Sequence, residues 1–168
     1  GFSATAMHYV SEKPCQILDH VHMVGASEIE RNKFKKQALV DWEAILCARA
    51  KELESGGRFI CINFGIDENG RYLGNTGGNS MFESFNRHWR THLESGIITN
   101  EEFISATFPQ HYRTVEEFSQ PFMGNDCLAN KIGLKLNKVF TKLTKCPYRQ
   151  DYENNKGTIT PKEFAKEF

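Results

Sequence analysis

Two dipeptides of the same composition lie far apart in the chain: His8-Tyr9 within SATAMHYVSEKP and His111-Tyr112 within FPQHYRT. A neutral imidazole donates from one nitrogen and accepts at the other, and a phenol does both, so such a pair can hold a polar or anionic small molecule without covalent chemistry. Neither stretch shows helical or alternating periodicity, and both read as loops. Loops returning to the carboxyl edge of a parallel sheet are where α/β proteins hold ligands. Taken alone, each pair reads better as a half-buried aromatic contact than as a ligand site.

Other candidates are weaker. His20-x-His22 has metal-ligand residue types, but no acidic or cysteine partner stands at useful spacing, and Val21 and Met23 fit ordinary loop packing; no metal is expected. LGNTGGNSM, 73–81, precedes a helical stretch and could cradle phosphate. It lacks the Gly-Lys-Ser/Thr ending of a P-loop and does not directly follow a strand, so it reads as a surface loop. Cys47 and Cys61 sit among apolar neighbours and read as core, not as nucleophiles.

The elements that must position these groups follow from periodicity. Ile29, Phe34, Ala38, Trp42, Ile45, Leu46, Ala50 and Leu53 mostly recur three or four apart, which predicts a helix over 27–54 with Ser27 and Glu30 as its capping box. Gly56-Gly57 end it. The apolar run 59–64 then predicts a strand buried on both faces, giving an αβ unit of a mostly parallel sheet. After a polar loop, Phe82, Phe85, Trp89 and Leu93 mark a second helix closed by Gly96. Thr99 with Glu102 and Thr114 with Glu117 have capping-box spacing and predict two short helices. Ile132, Leu134 and Leu136 alternate with Gly133, Lys135 and Asn137, which predicts a half-buried or edge strand at 134–140. Thr160-Pro161-Lys162-Glu163 announces a last helix just before the chain stops.

Length and composition narrow the function. The 168 residues suffice for one domain, and 21 basic against 21 acidic side chains leave no net charge, against nucleic acid as a partner. Thirteen Phe suggest an aromatic-walled core or pocket. Five widely spaced cysteines without a C-x-x-C pair favour a reduced, cytoplasmic setting, and no apolar run approaches a membrane span. The opening, GFSATAMHYVSEKPC, reads as an interior loop rather than a terminus. With the helix announced at 160, this predicts an α/β architecture that is incomplete.

Four stretches carry a family resemblance. Aligned back from Pro14, the opening resembles the S-S-x-S-L-x-W-L-S-x-x-P segment of the SABATH methyltransferases. DWEAILCARAKELESGGRFICINFG, 41–65, is similar to the family's D-x-x-x-F-L-x-x-R-A-x-E-L helix running through P-G-G into a strand. HLESGIITNEEF, 92–103, resembles V-x-E-G-L-I-x-E-E at the start of its cap region, and FPQHYRTVEEF, 108–118, resembles N-x-P-x-Y-x-x-S-x-E-E. The four occur in the family's order. Two departures are local: Tyr9 stands where the family commonly has Trp, and His111 where it usually has Tyr, with Tyr112 next. The family's glycine loop and acidic ribose partner have no counterpart, so the resemblance implies roughly the second half of such an enzyme.

That resemblance implies an α/β fold with part of a Rossmann-like methyltransferase sheet and a helical cap: 1–66 the second-half core unit, 67–125 the cap, and 126–168 a return strand and the start of a carboxyl-terminal helix. It implies transfer of a methyl group from S-adenosylmethionine to the carboxylate of a small organic acid, or to a ring nitrogen in the xanthine enzymes. Tyr9, with His111 or Tyr112, would hold the carboxylate. Met81 and Phe82 would face the substrate, with Met7 or His8 beneath it, and Ser3 and Thr5 would lie on the cofactor side. The chain alone is not expected to bind cofactor. Two other readings stand beside this one: a non-catalytic binding or assembly module, homo-oligomeric through an exposed sheet edge, and a phosphate-ligand binder using 73–81.

Overall fold

The computed structural model describes residues 1–75, 80–155, 158 and 160–167. Helix α1 spans Glu28–Glu52, and its start is fixed by the expected reciprocal cap. The Glu30 N–H donates to Ser27 Oγ at 3.4 Å, and the Ser27 N–H donates to the Glu30 carboxylate at 2.8 Å. Phe34, Ala38, Trp42 and Leu46, four apart, form the buried stripe. Ile29, expected on that stripe, is exposed. It lies five residues before Phe34, about 140° round an α-helix, and so faces outward.

The stripe meets a loop. Phe34 and Ala38 pack with Val10, Ile17, Met23 and Ala26 in one core cluster, with Cys15 and Val24 against it. A 3-10 turn at Met23–Gly25 folds this stretch back, started by His22, whose Nδ1 accepts from the Val24 N–H at 3.3 Å. The Ile17 N–H donates to Thr107 Oγ1 at 2.9 Å and joins the loop to the chain beyond the next three α-helices. Fully burying a Phe side chain contributes about 1.5 to 3 kcal/mol, so Phe34 alone is a sizeable share of this core.

Strand β1, Phe2–Ala4, pairs in parallel with β2, Ile60–Ile62, in the register Phe2 with Ile60, Ser3 with Cys61 and Ala4 with Ile62. The strand at 59–64 is thus present but shorter, and it is not buried on both faces. Phe2 is 67% exposed and Ile60 and Ile62 56% each, while Ser3 and Cys61 are half-buried. The apolar run reflects one face that no described element covers. A cavity of about 180 Å³ between Phe2, Phe59 and the end of α1 lies at the amino-terminal end of the pair.

Helix α2 spans Met81–Glu94 and is capped by Ser80, which accepts from the Glu83 N–H. Phe82 is buried, but Phe85 is 47% exposed and Asn86 takes the expected inward place, its amide donating to the Asp19 carbonyl at 3.0 Å. Helix α3, Asn100–Ser105, carries the complete Thr99–Glu102 box. Helix α4, Val115–Ser119, has only half of its box: Thr114 accepts from the Glu117 N–H, while the Glu117 carboxylate is engaged elsewhere. A 3-10 turn, Gln120–Phe122, leads to α5, Leu128–Lys131.

The strand expected at 134–140 is absent: these residues have no regular secondary structure and no ladder partners. Gly133, at φ 75°, and Leu134 end α5, the Gly133 N–H donating to Asn130 O and the Leu134 N–H to Ala129 O. That is a Schellman cap, which needs a glycine at positive φ and an apolar residue after it, so the apparent alternation is partly a helix stop. Beyond it, α6 spans Pro147–Asn154 and α7 spans Pro161–Glu167, the latter started by the predicted Thr160–Glu163 box. The described part of 126–168 thus carries helices and irregular, unpaired chain where a return strand was expected. Residues 76–79, the centre of the glycine-rich loop, lie outside the described residues, and with them the phosphate-cradle reading.

Candidate ligand site

The two His-Tyr segments meet at the carboxyl end of the strand pair. Residues 109–113 run between two other stretches. On one side the Val10 N–H donates to Pro109 O at 3.0 Å and the His111 N–H to His8 O at 2.8 Å. On the other side the Ile66 N–H donates to Arg113 O at 3.0 Å. Gly65 permits this approach, since a Cβ there would lie 2.8 Å from the Arg113 carbonyl oxygen. The Arg113 guanidinium, buried to 2% exposure, donates to the Met7 carbonyl and, at 2.5 Å, to Ala38 O in α1. One side chain therefore ties the first His-Tyr segment, the second and the long helix together.

Tyr112 is the centre of the aromatic cluster. Its ring lies 4.8 Å from His22, 5.8 Å from His8, 6.0 Å from Phe82, 6.1 Å from Phe64 and 6.4 Å from Tyr72. Burial pushes its hydroxyl up to about 12, and the neighbouring Tyr9 phenol adds to the rise. His22, fully buried, stacks on Phe82 at 3.9 Å with the planes 11° apart. Its Nε2 lies 3.3 Å from the Gln110 amide oxygen, and because Nδ1 accepts from Val24, Nε2 carries the proton. Desolvation pushes its pKa down to about 3, against the Gln110 bond and with help from His20, His111 and His8, so the ring is neutral.

The other histidines have distinct partners. His8 Nδ1 lies 3.1 Å from Asn63 Oδ1, and its pKa is lowered by burial and by the Arg113 charge, with the Asn63 bond opposing. His111 Nε2 contacts the Glu117 carboxylate at 2.7 Å, and the other carboxylate oxygen pairs with Lys35 at 3.2 Å. Burial raises the Glu117 pKa, but the His111 bond, the His111 charge and Lys35 more than offset it, so this carboxyl sits below its ordinary range. This contact is what draws Glu117 out of its capping box. His20 Nε2 faces Glu83 at 3.4 Å and its ring packs on Gly25, far from metal geometry; among the described residues no group of three or more His, Cys, Asp or Glu could hold a metal ion.

Of the residues singled out from sequence, His8, Phe82, His111 and Tyr112 are buried together, and Tyr9, 54% exposed, stacks obliquely on His8 at 4.5 Å. Met7 is half-buried beside them and gives its carbonyl to Arg113. Met81 is half-buried at the start of α2, its N–H on Gly74 O at 2.8 Å. Ser3 lies in β1. Thr5, just past it, is the one non-glycine residue at positive φ among the described residues, at 53°, an energetically costly conformation for a β-branched side chain. Asn63, Phe64, Gln110 and Arg113 were missed. Asn63 and Phe64 read only as the end of the apolar run 59–64, and Gln110 and Arg113 only as flanks of the second His-Tyr pair; that adjacency was the one signal that could have marked them.

These features define a mixed α/β chain that gathers buried imidazoles, phenols and aromatic rings at the carboxyl end of a parallel strand pair. The chain belongs to the SAM dependent carboxyl methyltransferase family, whose model matches residues 1–164. It is 25% identical over 131 residues to a loganic acid O-methyltransferase of Catharanthus roseus, covering 73% of this chain and 35% of that protein. To a farnesoic acid carboxyl-O-methyltransferase of Arabidopsis thaliana it is 24% identical over 135 residues, covering 76% and 38%. The chain thus spans little more than a third of the length of these relatives. A solved loganic acid methyltransferase with SAH superposes with a TM-score of 0.55 at 17% identity, over 79% of this chain and 38% of that one, a likeness of fold.

Proposed function

We propose that this chain carries the acceptor-binding side of an S-adenosylmethionine-dependent carboxyl methyltransferase, with β1 and β2 belonging to a Rossmann-like sheet and residues 67–125 capping the site. The supporting observation is the convergence of His8-Tyr9 and His111-Tyr112 with Phe82 at the carboxyl end of that strand pair. The acceptor is a small organic acid. A carboxylate is already ionised at neutral pH, so the side chains need only orient it and exclude water. Tyr9 is the accessible phenol and donates to the carboxylate, with Tyr112 beside it. Phe82 and Met81 wall one side of the acid and His8 and Met7 the other. His111, held by Glu117, fixes the wall from behind.

S-adenosylmethionine, when bound, supplies the methyl group from its sulfonium. Ser3 and Thr5 would meet its adenosyl part. The strained Thr5 backbone, anchored by its N–H on Ile62 O at 2.8 Å with the residue left exposed, fits a polar contact there, though two hydroxyls make a partial seat only. The chain alone is therefore expected to bind the cofactor too weakly to measure, and micromolar affinity by isothermal titration would show the cofactor site to be misplaced. The acceptor site is tested by titrating the chain with benzoate and following ring protons by NMR. Shifts should concentrate at Tyr9, Phe82 and Tyr112; shifts confined to other surfaces would remove the assignment.

A second reading, an assembly module, is favoured by the uncovered apolar face of Phe2, Ile60 and Ile62. A homo-oligomer formed at this sheet would bury it, and sedimentation analysis that finds only monomer would exclude that. No helix among the described residues is long and apolar enough to cross a membrane, and neither reading calls for nucleic acid. We place the protein in the cytoplasm on the methyltransferase reading.

A further inference from the structure

Asn63 follows β2 directly, and the parallel register of β1 and β2 brings it to the loop after β1, where His8 stands. The amide oxygen, not the amide nitrogen, faces the ring, with Oδ1 at 3.1 Å from Nδ1. An amide oxygen only accepts, so in this orientation of the amide Nδ1 carries the proton and Nε2 keeps its lone pair. The buried Asn63 Nδ2 has no partner among the described residues, so the bond to His8 is the one that orients this amide. His8 Nε2 makes no hydrogen bond among the described residues and is not one of the buried unpaired atoms, so a small part of it stays accessible on a residue that is 3% exposed overall. The ring is bordered by Tyr9, Phe64 and Tyr112.

We propose that Asn63 is a positioning residue that holds His8 in its Nδ1–H tautomer, so that Nε2 selects an acid carrying a hydroxyl or N–H donor besides its carboxylate. The inference rests on the acceptor-site reading above. A neutral imidazole lone pair gains nothing from a carboxylate oxygen. Beside the Tyr9 donor it complements a ligand that offers an acceptor at one point and a donor at another. Such a site penalises the analogue that lacks the donor, because the lone pair is then left without a partner in place of water.

The test begins on the 168-residue chain with ¹⁵N-labelled histidine, at a pH where the imidazoles are neutral, using long-range ¹H–¹⁵N spectra. His8 should show the Nδ1–H tautomer. Asn63→Leu should release it toward Nε2–H, and Asn63→Asp, which keeps an acceptor oxygen, should retain Nδ1–H even if the Leu variant folds poorly. Wild-type His8 in the Nε2–H form would overturn the proposal. Titration with benzoate and the three monohydroxybenzoates then tests selection: at least one hydroxy acid should bind about tenfold tighter than benzoate, and the preference should vanish in Asn63→Leu. Equal affinities would overturn the donor preference. If no acid perturbs the site while the tautomer behaves as expected, the acceptor-site reading fails and takes the donor preference with it, and the spectra show that the fault is not in the Asn63–His8 bond.

Discussion

His8-Tyr9 and His111-Tyr112 present the same side chains in the same order and are used in opposite ways. In the first pair the histidine turns inward to a neutral amide and the tyrosine is 54% exposed; in the second both residues are 2% exposed, the histidine on a carboxylate and the tyrosine at the centre of the rings. The difference follows from position. Residues 8–10 have a neighbour on one side, so alternate side chains face outward and only His8 and Val10 are buried. Residues 111–113 lie between two neighbours, and all three are buried. Identical dipeptides become a half-exposed edge in one case and a buried wall in the other.

The largest effect should come from cutting the tie between the two pairs. Arg113→Met leaves the Met7 and Ala38 carbonyls without their buried donor and should destabilise the fold by about 3 kcal/mol, read by urea unfolding with Trp42 fluorescence. Arg113→Lys should recover less than half, since one ammonium does not reproduce a fork reaching two carbonyls. A variant of wild-type stability would show that the pairs are held by something else.

Next in size is pH. His22 titrates at about 3 in the fold against 6.5 unfolded, and His8 is shifted the same way, so the unfolded chain binds more protons as pH falls below 6.5. Stability is therefore flat with respect to these groups above pH 6.5 and declines below it, by about 1.4 kcal/mol per pH unit for each fully shifted group. His22→Phe, which keeps the stacking on Phe82, should flatten the loss measured by unfolding between pH 6.5 and 4.5. An unchanged slope would mean that His22 is not the buried neutral group described.

Smaller still is the cost of neutralising the second pair's partner. Glu117→Gln should lose about 1 to 2 kcal/mol near neutral pH, being a buried hydrogen bond to a charged group weakened but not deleted. The folded Glu117 carboxyl titrates below its ordinary 4.5, so its contribution is present above that value and is lost as pH falls through the folded pKa. Wild type and variant should converge in acid; a gap that persists at low pH would assign the loss to packing.

The smallest change in stability belongs to the exposed phenol. Tyr9→Phe should move unfolding by no more than about 0.5 kcal/mol, as for most surface substitutions, while weakening binding of the acid by roughly 10- to 150-fold through loss of one donor to a charged acceptor. The separation of the two readouts is what sharpens the contrast. Tyr9→Phe that melts early and binds normally would make the first pair a wall like the second.

Much of this arrangement was legible before the structure. The boxes at Ser27, Thr99 and Thr160 hold because a short polar side chain and a glutamate three residues on satisfy each other locally, whatever the tertiary context. The box at Thr114 closed only halfway, because His111, three residues before the cap, and Lys35 on α1 compete for the Glu117 carboxylate. The strand at 134–140 failed for a related reason: alternation marks a strand only if a ladder receives it, and Gly133 was already committed to stopping a helix. The His-Tyr pairs stood out by composition and by family resemblance, yet nothing local says that they touch. Asn63 and Arg113, single polar residues without periodicity, acquire meaning only from what lies across from them.

The bond from the His111 N–H to the His8 carbonyl spans most of the chain and sets a timetable for folding. Closing so large a loop is entropically costly and is not repaid until both ends are in place, so contacts of this separation form slowly. Helix α1 and its loop can assemble from neighbouring sequence, whereas the His-Tyr cluster cannot exist until residues 109–113 arrive. At translation speeds of about 5 to 20 residues per second, the first His-Tyr pair waits roughly 5 to 20 seconds for the second.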